Sequence, residues 1–524
     1  MNQKIDTNTT DMNTTREKKV LKNTLFLYAR MIIVMGANLY TARVVLDSLG
    51  VDDYGIYNVV GGIVLMFSIL SSSITAAITR FITYEIGVQN KTNIQKIFST
   101  SINIQIFLGI IVIVLAELLG LWFLNNKMVI DAKRVFAANL VFQFSILTFF
   151  INLISIPYNS IIIAYEKFSI FSYIAIFEAL GKFLVAFLLV FVSFDRLIAY
   201  ACLQCVLAIV VRFIYTIYCK YHFPETAYSF SFDKHLLLKM LKFSGWNFIG
   251  ASSAILRDEG GNMLLNVYCG PSVNAARGIA FQVSNAIYSF TNNFVMAVNP
   301  QIIKSYASKD YEYMLRLVYR SARMSFYLLW LIGFPLLLNL DYVLSIWLVE
   351  VPLYTANFIY IILLASFFDA MSAPLITAML ATGNIRNYQL IVGGLQMLNF
   401  PLSLVFLANG FLPVAVFVVY AVLAVCCFIA RLIILRYMIN LSILYFLRYV
   451  VFRCSLVSMI SVLPALFFLK IEVVSFLSLF FVSFFVFLWS VVIIYVFGIE
   501  HKERIEINLK VISFVRRAKW NLSI

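Results

Sequence analysis

Apolar runs of about 20 residues, each long enough to cross a hydrocarbon core of about 30 Å, recur along almost the whole chain. Short segments of charged residues, Gly, Pro and Asn separate them. Read between that punctuation, the pattern predicts helices near 24–46, 56–78, 98–124, 135–156, 168–192, 197–219 and 243–268. A second set is predicted near 273–298, 324–345, 356–382, 388–408, 413–435, 450–470 and 474–497. The expected fold class is therefore an all-α polytopic membrane protein with about 14 transmembrane helices.

An even number of spans puts both termini on one side, and the bias of Lys and Arg between alternate loops identifies that side. The tails and one set of loops hold basic residues in an excess of more than five to one, from Lys4 through Lys96, Lys242, Arg323 and Arg453 to Lys519. The other set holds Lys127, Lys133, Arg134, Arg196 and Lys470. Both termini are expected in the cytoplasm. Residues 1–20, rich in Thr and Asn, carry no apolar core, so no cleavable signal peptide is expected.

Shifting the chain by 220 positions lays Leu21-Lys22 on Leu241-Lys242, Gly50 on Gly270, and Ile78-Thr79-Arg80 on Val298-Asn299-Pro300. Each half then begins on the same side, so the two halves are expected to be parallel six-helix repeats around a central cavity, plus two C-terminal helices. The expected organisation is a polar tail (1–22), an N-terminal lobe (23–219), a cytoplasmic linker (220–242), a C-terminal lobe (243–436), two additional spans (437–497) and a basic tail (498–524). The linker carries Pro224, alternating Tyr228, Phe230 and Phe232, and Asp233 as an N-cap. It reads either as a short amphipathic interfacial helix acting as a hinge or as a simple connector.

Composition narrows the classes further. Hydrophobic residues make up 62% of the 524 positions, charged residues 12%, and mean hydropathy is +0.92, against about 45–50% apolar and about 25% charged in a soluble domain. The net charge of +15 does not point to nucleic acid, because most cations lie in short loops with no polar face to carry them. The seven cysteines, from Cys202 and Cys205 to Cys454, fall in or beside apolar segments with no second Cys/His pair for a zinc site. His222, His235 and His501 offer neither a triad nor a metal set, and no phosphate-cradling loop is present. No cofactor is expected.

A charge inside a span costs about 2.5–3.5 kcal/mol on insertion scales, so such residues face a cavity or a partner. Helix one carries Arg30, Asn38 and Arg43. Helix seven carries Arg257-Asp258-Glu259, and helix eight Arg277 with Asn274, Gln282 and Asn285. These polar helices are expected to line the cavity. Arg30 and Arg43, about 20 Å apart along a helix at 1.5 Å per residue, would meet a passing anion at different depths. A guanidinium matches phosphate oxygens and stays charged where a lysine would not. Arg43 has the alternative of snorkelling or pairing with Asp47. Gly260-Gly261, directly after three charges, reads as a hinge; the same charges also read as a locally neutralised set. Glu178 and Lys182 are spaced as an intrahelical pair. Glu117 and Asp369 have no basic residue at helical spacing, which makes them, with Asp258 and Glu259, candidates for ion coupling.

Leu46-Asp-Ser-Leu-Gly50, Asp53-Tyr-Gly-Ile-Tyr57, Arg80-Phe81, Gly270-Pro-Ser-Val-Asn-Ala-Ala-Arg-Gly278 and Asn299-Pro-Gln-Ile-Ile-Lys304 together resemble the polysaccharide-transport branch of the multidrug/oligosaccharidyl-lipid/polysaccharide flippase superfamily, the O-antigen flippases. The resemblance covers roughly residues 20–440. It implies a two-lobed bundle in the bacterial inner membrane that moves undecaprenyl-diphosphate-linked sugar units between leaflets, with helices one, two, seven and eight lining the cavity. Implied partners are membrane lipid, the lipid-linked glycan, and the glycan polymerase and glycosyltransferases of the same pathway. A cation-coupled drug exporter of the same fold is the competing reading and calls for acidic residues deep in the cavity. A membrane glycosyltransferase or polymerase calls for a long external loop, which the pattern lacks.

Overall fold

The computed structural model describes residues 22–38, 67–126, 133–229, 233–348, 351–468, 475–500 and 503–505, and scattered positions between 40 and 60. Among them there is helix and no strand. In hydrocarbon every backbone N–H and C=O must be satisfied within its own segment, and a helix does this without partners. The elements are α1 (22–38), α2 (Ser68–Val88), α3 (Lys91–Asn126, with one π turn at Ala116–Gly120), α4 (Val135–Ala164), α5 (Phe168–Phe191), α6 (Arg196–His222), α7 (Lys234–Cys269) and α8 (Pro271–Ala307). There follow α9 (Tyr311–Leu338), α10 (Leu340–Trp347), α11 (Thr355–Thr382), α12 (Arg386–Ala408), α13 (Val414–Ile439), α14 (Ile443–Pro464) and α15 (Phe476–Gly498).

A described helix overlaps each of the fourteen expected segments. Ten of them are long and apolar enough to cross a membrane, so the chain is a multi-pass membrane protein. α8, the longest described helix with 37 residues, and α7, which with 36 equals α3, are not among the ten. Their polar and charged residues dilute the apolar signal that α3, α13 and α15 show throughout.

The largest boundary error concerns the second span, expected over 56–78. Its helix is Ser68–Val88. Arg80 misleads as an end signal because its charge is met inside the fold: Nε donates to the Leu380 carbonyl at 3.2 Å and Nη2 to the Ala381 carbonyl at 2.8 Å. Those carbonyls belong to the last turn of α11, where four acceptors have no intrahelical donor. Arg80 therefore caps another helix, and its own helix runs on for two more turns.

The repeat is visible in backbone conformation as well as in sequence. Gly50 and Gly270 both take positive φ, 77° and 84°, a region a Cβ disfavours. Gln89 and Lys309 do the same at 63° and 61°. The Asn90 side chain accepts from the Asn93 N–H, and Asp310 from the Tyr313 N–H. All three pairs are 220 positions apart. Lys91 and Tyr311, and Val135 and Thr355, open helices at that same offset.

Among the described residues of the linker there is no separate amphipathic helix. Asp233 does cap a helix, its carboxylate accepting from the Leu236 N–H at 3.0 Å, but that helix is the start of α7. The preceding residues form a 3₁₀ turn, Pro224–Thr226, and a strap against α3. Gln95, Ser99 and Asn103, spaced four apart on one face of α3, meet the Ala227 carbonyl, the Ser229 N–H and the Tyr228 hydroxyl. Tyr165, just past α4, has its phenol pushed up to about 12 by burial and by neighbouring Glu225. It stays protonated at neutral pH.

Two compact units emerge. Unit 1 holds residues 1–252, 296–314 and 377–390; unit 2 holds 253–295, 315–376 and 391–524. In unit 1, Arg134 forks between Asp53, which both Nε (2.7 Å) and Nη2 reach, and Asp195, 2.5 Å from Nη1. Asp195 also caps α6 through the Leu197 and Ile198 N–H groups. The Asp53 of the sequence motif thus serves to tie the segment before α2 to the starts of α4 and α6.

Candidate functional site

Unit 2 gathers the charges of α7 and α8 with residues from three further helices. Arg257 donates from Nε to Asp258 at 2.9 Å, and its guanidinium lies over the Tyr420 ring at 4.6 Å. The Arg257 carbonyl accepts from Asn399 at 3.0 Å. Arg277, buried on α8, donates to the Asp258 carbonyl and stacks 4.4 Å from the Phe281 ring centroid. Asp369 of α11 is 3.7 Å from Arg431 of α13, which is 4% exposed. Tyr288 and Tyr420 lie within electrostatic reach of Arg257 and Asp369. Glu259 accepts from Asn262 at 2.9 Å.

Asp369, which has no basic residue at helical spacing on its own helix, lies beside Arg431. The partner comes from α13, and helical spacing within one segment cannot reveal a contact across helices. Three guanidiniums, Arg257, Arg277 and Arg431, face three carboxylates, Asp258, Glu259 and Asp369. The set is neutral in sum, so the buried members, Arg277 and Arg431, have opposite charge nearby, while Glu259 is exposed.

α7 runs unbroken through Gly260 and Gly261, because glycine keeps its N–H and the i to i−4 ladder with it. Gly260 is a packing position: a Cβ there would stand 2.7 Å from Phe400, whereas one on Gly261 would meet only ordinary contacts at 3.7 Å. Gly260→Ala should therefore lower thermal stability by about 1–3 kcal/mol through overpacking, and Gly261→Ala by much less. A melting series on the purified variants measures this; equal losses at both sites would contradict the packing account.

In unit 1 the interior charge is arranged differently. Arg30 on α1 lies 4.5 Å from the Phe171 ring centroid and within electrostatic reach of Tyr215 and Glu178. Glu178 is 2.7 Å from Lys182, as its spacing predicts. Arg212 of α6, which the sequence reading passed over, stacks 4.0 Å from the Tyr158 ring centroid. Its signal was available, since it is a cation in the middle of a predicted span.

Unit 1 also holds a buried acid that spacing did not mark. Glu166, 3% exposed and at positive φ, accepts from Gln301 at 2.7 Å and Lys304 at 2.5 Å. Asn299 accepts from Thr377 at 2.6 Å. Residues of two sequence motifs, Arg80 and Asn299 to Lys304, therefore act as structural contacts at the ends of α8 and α11.

Of the other expected site residues, Asn38, Gln282 and Asn285 are exposed, the last two on one stripe of α8, and Glu117 is half-buried in the π turn of α3. Asn274 lies in the first turn of α8; Arg43 and the side chain of Asn274 lie outside the described residues.

The sequence matches the family model described as polysaccharide biosynthesis protein over residues 18–308, more than half of the chain. The chain belongs to the polysaccharide biosynthesis protein family. None of the curated proteins matches it. Among solved structures, a MATE in complex with MaL6 is 12% identical with a TM-score of 0.69, over 81% of this chain and 96% of that one. The MATE transporter ClbM in complex with Rb+ is 15% identical, with a TM-score of 0.68 over 82% and 96%. A MOP superfamily transporter from Pyrococcus furiosus, whose reversed binding-pocket polarity is said to suggest a different function, is 12% identical with a TM-score of 0.66 over 81% and 96%. At these identities the likeness shows the fold: this polysaccharide biosynthesis protein has the MATE-like fold of membrane transporters in the MOP superfamily.

Proposed function

We propose that this family member is a flippase that translocates undecaprenyl-diphosphate-linked oligosaccharide repeat units across the bacterial inner membrane by alternating access, with both termini cytoplasmic. Its product feeds O-antigen, capsule or exopolysaccharide assembly, alongside the polymerase and glycosyltransferases of that pathway. The observation that carries the reading is a transporter fold in a polysaccharide-biosynthesis family whose spans hold guanidiniums, Arg30, Arg212, Arg257 and Arg277. Guanidiniums suit a phosphorylated cargo and repel a cationic drug.

The direct test is reconstitution into vesicles holding a fluorescent lipid-diphosphate oligosaccharide, with a membrane-impermeant quencher reporting which leaflet holds it. The expected result is complete quenching with protein and about half without. No difference between the two would sink the flippase reading.

The likeness to MATE transporters, one of a multidrug resistance family and another in complex with Rb+, supports a second reading, cation-coupled export. It predicts that the reconstituted protein dissipates a sodium or proton gradient in the presence of an organic cation and leaves the lipid-linked glycan where it was.

A further inference from the structure

We infer that an exposed row of carboxamides on α8, Gln282, Asn285 and Asn292, binds the uncharged sugar part of the cargo by exchanging hydrogen bonds with its hydroxyl groups. The cargo class rests on the flippase reading; the row itself rests on the side chains.

α8 carries polar residues on two faces, and they meet different surroundings. On one face Ala276, Ala280, Ser284, Ile287, Thr291 and Val295 are buried, at the three- and four-residue steps of a single helix face. Neighbouring helices satisfy the hydroxyls there. Ser284 lies 3.0 Å from the Ser366 hydroxyl of α11, and Thr291 donates to the Ser325 carbonyl of α9 at 3.3 Å. That packing fixes the rotation of α8 about its own axis. Gln282, Asn285 and Asn292 then fall together on a second face, where all three are exposed. None of their carboxamides has a hydrogen-bond partner among the described residues. Ser289, between them, turns its hydroxyl back to the Ala286 carbonyl at 2.6 Å. Gly278, one turn before Gln282, has nothing within 4 Å of the point where a Cβ would stand, so the face is open there as well.

The row lies in the middle of a 37-residue helix and extends about 15 Å along its axis, at 1.5 Å per residue. Hydrocarbon offers a carboxamide no partner, and leaving its donors and its acceptor bare is strongly disfavoured. Exposed carboxamides at that depth therefore face water or a polar ligand. Charge selects the ligand. The row is uncharged, and the arginines and carboxylates of unit 2 already sum to zero, so an anion gains little from this surface. A sugar hydroxyl both donates and accepts. So does each carboxamide, donating through its NH2 and accepting through its oxygen. Three of them in line match a chain of hydroxyl-bearing rings better than they match a phosphate, which only accepts.

The test uses the purified full-length protein in detergent and two probes with the same lipid diphosphate: bare undecaprenyl diphosphate, and the undecaprenyl-diphosphate-linked oligosaccharide purified from the membranes of the protein's own cells. Ligand-induced thermal shift over a concentration series reads the affinities. The wild type should bind the glycosylated probe more tightly. Gln282→Leu, Asn285→Leu and Asn292→Leu should each weaken that binding by about twofold to tenfold, the loss of a neutral hydrogen bond, and leave binding of the bare lipid unchanged. Asn285→Gln, which keeps the carboxamide, should retain more affinity than Asn285→Leu. Asn285→Ser, which keeps the face polar, serves where the leucine variant fails to fold, and should lose affinity for the glycosylated probe alone.

Equal losses for both probes in the leucine variants would put the lipid diphosphate on this face and overturn the sugar site. Wild-type protein that binds the two probes equally, or leucine variants that bind the glycosylated probe as the wild type does, would overturn it too. In each of these cases the flippase reading stands. A wild type that binds neither probe also overturns the sugar site, and leaflet translocation in vesicles then decides the flippase reading separately.

Discussion

Arg323→Ala should cost about 3–5 kcal/mol of stability, because it breaks a buried ionic network by removing one partner. Arg323 of α9 is 3% exposed. It reaches Glu503 at 2.5 Å, Glu500 at 3.4 Å and the Tyr449 carbonyl at 3.5 Å. Around it, Arg320 lies 3.2 Å from Glu503 and Arg453 3.6 Å from Glu500. Tyr327, one turn on, donates to the Gly498 carbonyl at 3.1 Å. These contacts fasten the end of α15 and the start of α14 to α9, so the two C-terminal helices are anchored by charge at one end and by apolar packing along their length.

Truncating the arginine leaves two carboxylates facing each other with less than their former compensation. The expected result is a melting temperature lowered by several degrees and new protease cleavage after Gly498. Glu503→Gln should partly relieve Arg323→Ala in a double variant, since it removes one of the stranded charges. Additive losses in that cycle would show that the network is not coupled.

The second large effect is expected at Glu166. Its carboxylate is almost fully buried and takes both Gln301 and Lys304. Glu166→Ala removes the buried acceptor shared by Gln301 and Lys304 and should also cost about 3–5 kcal/mol. Glu166→Gln keeps the shape and one acceptor and should cost less. Exchanging the pair, Glu166→Lys with Lys304→Glu, should restore part of the stability if charge pairing is what matters. A stability for Glu166→Ala equal to wild type, measured by the same melting assay, would mean the pair contributes nothing net.

What the sequence determined alone is the solvent and the period of the fold. Lipid leaves a chain only helices or closed barrels, and apolar runs of spanning length select helices. Most helix positions followed from that, because they depend on residues close together in the chain, and the repeat followed from laying the chain on itself at a shift of 220. The polar character of α1, α7 and α8 was equally readable, since each charge must be counted against the cost of burying it.

The tertiary structure alone decided which charges answer one another. Asp369 has no basic residue near it in sequence and finds Arg431 on another helix. Arg80 looks like the end of a span and caps a helix 300 positions away. Gly260 lies within an unbroken helix and leaves room for Phe400, a contact that no spacing in the sequence marks. Arg212 is a cation inside a predicted span, and only the packing shows that the Tyr158 ring of α4 carries it. The common reason is that helical periodicity reports the face on which a side chain lies. Which partner occupies the facing surface is set by how helices pack, and that information is distributed over hundreds of positions rather than held in any one segment.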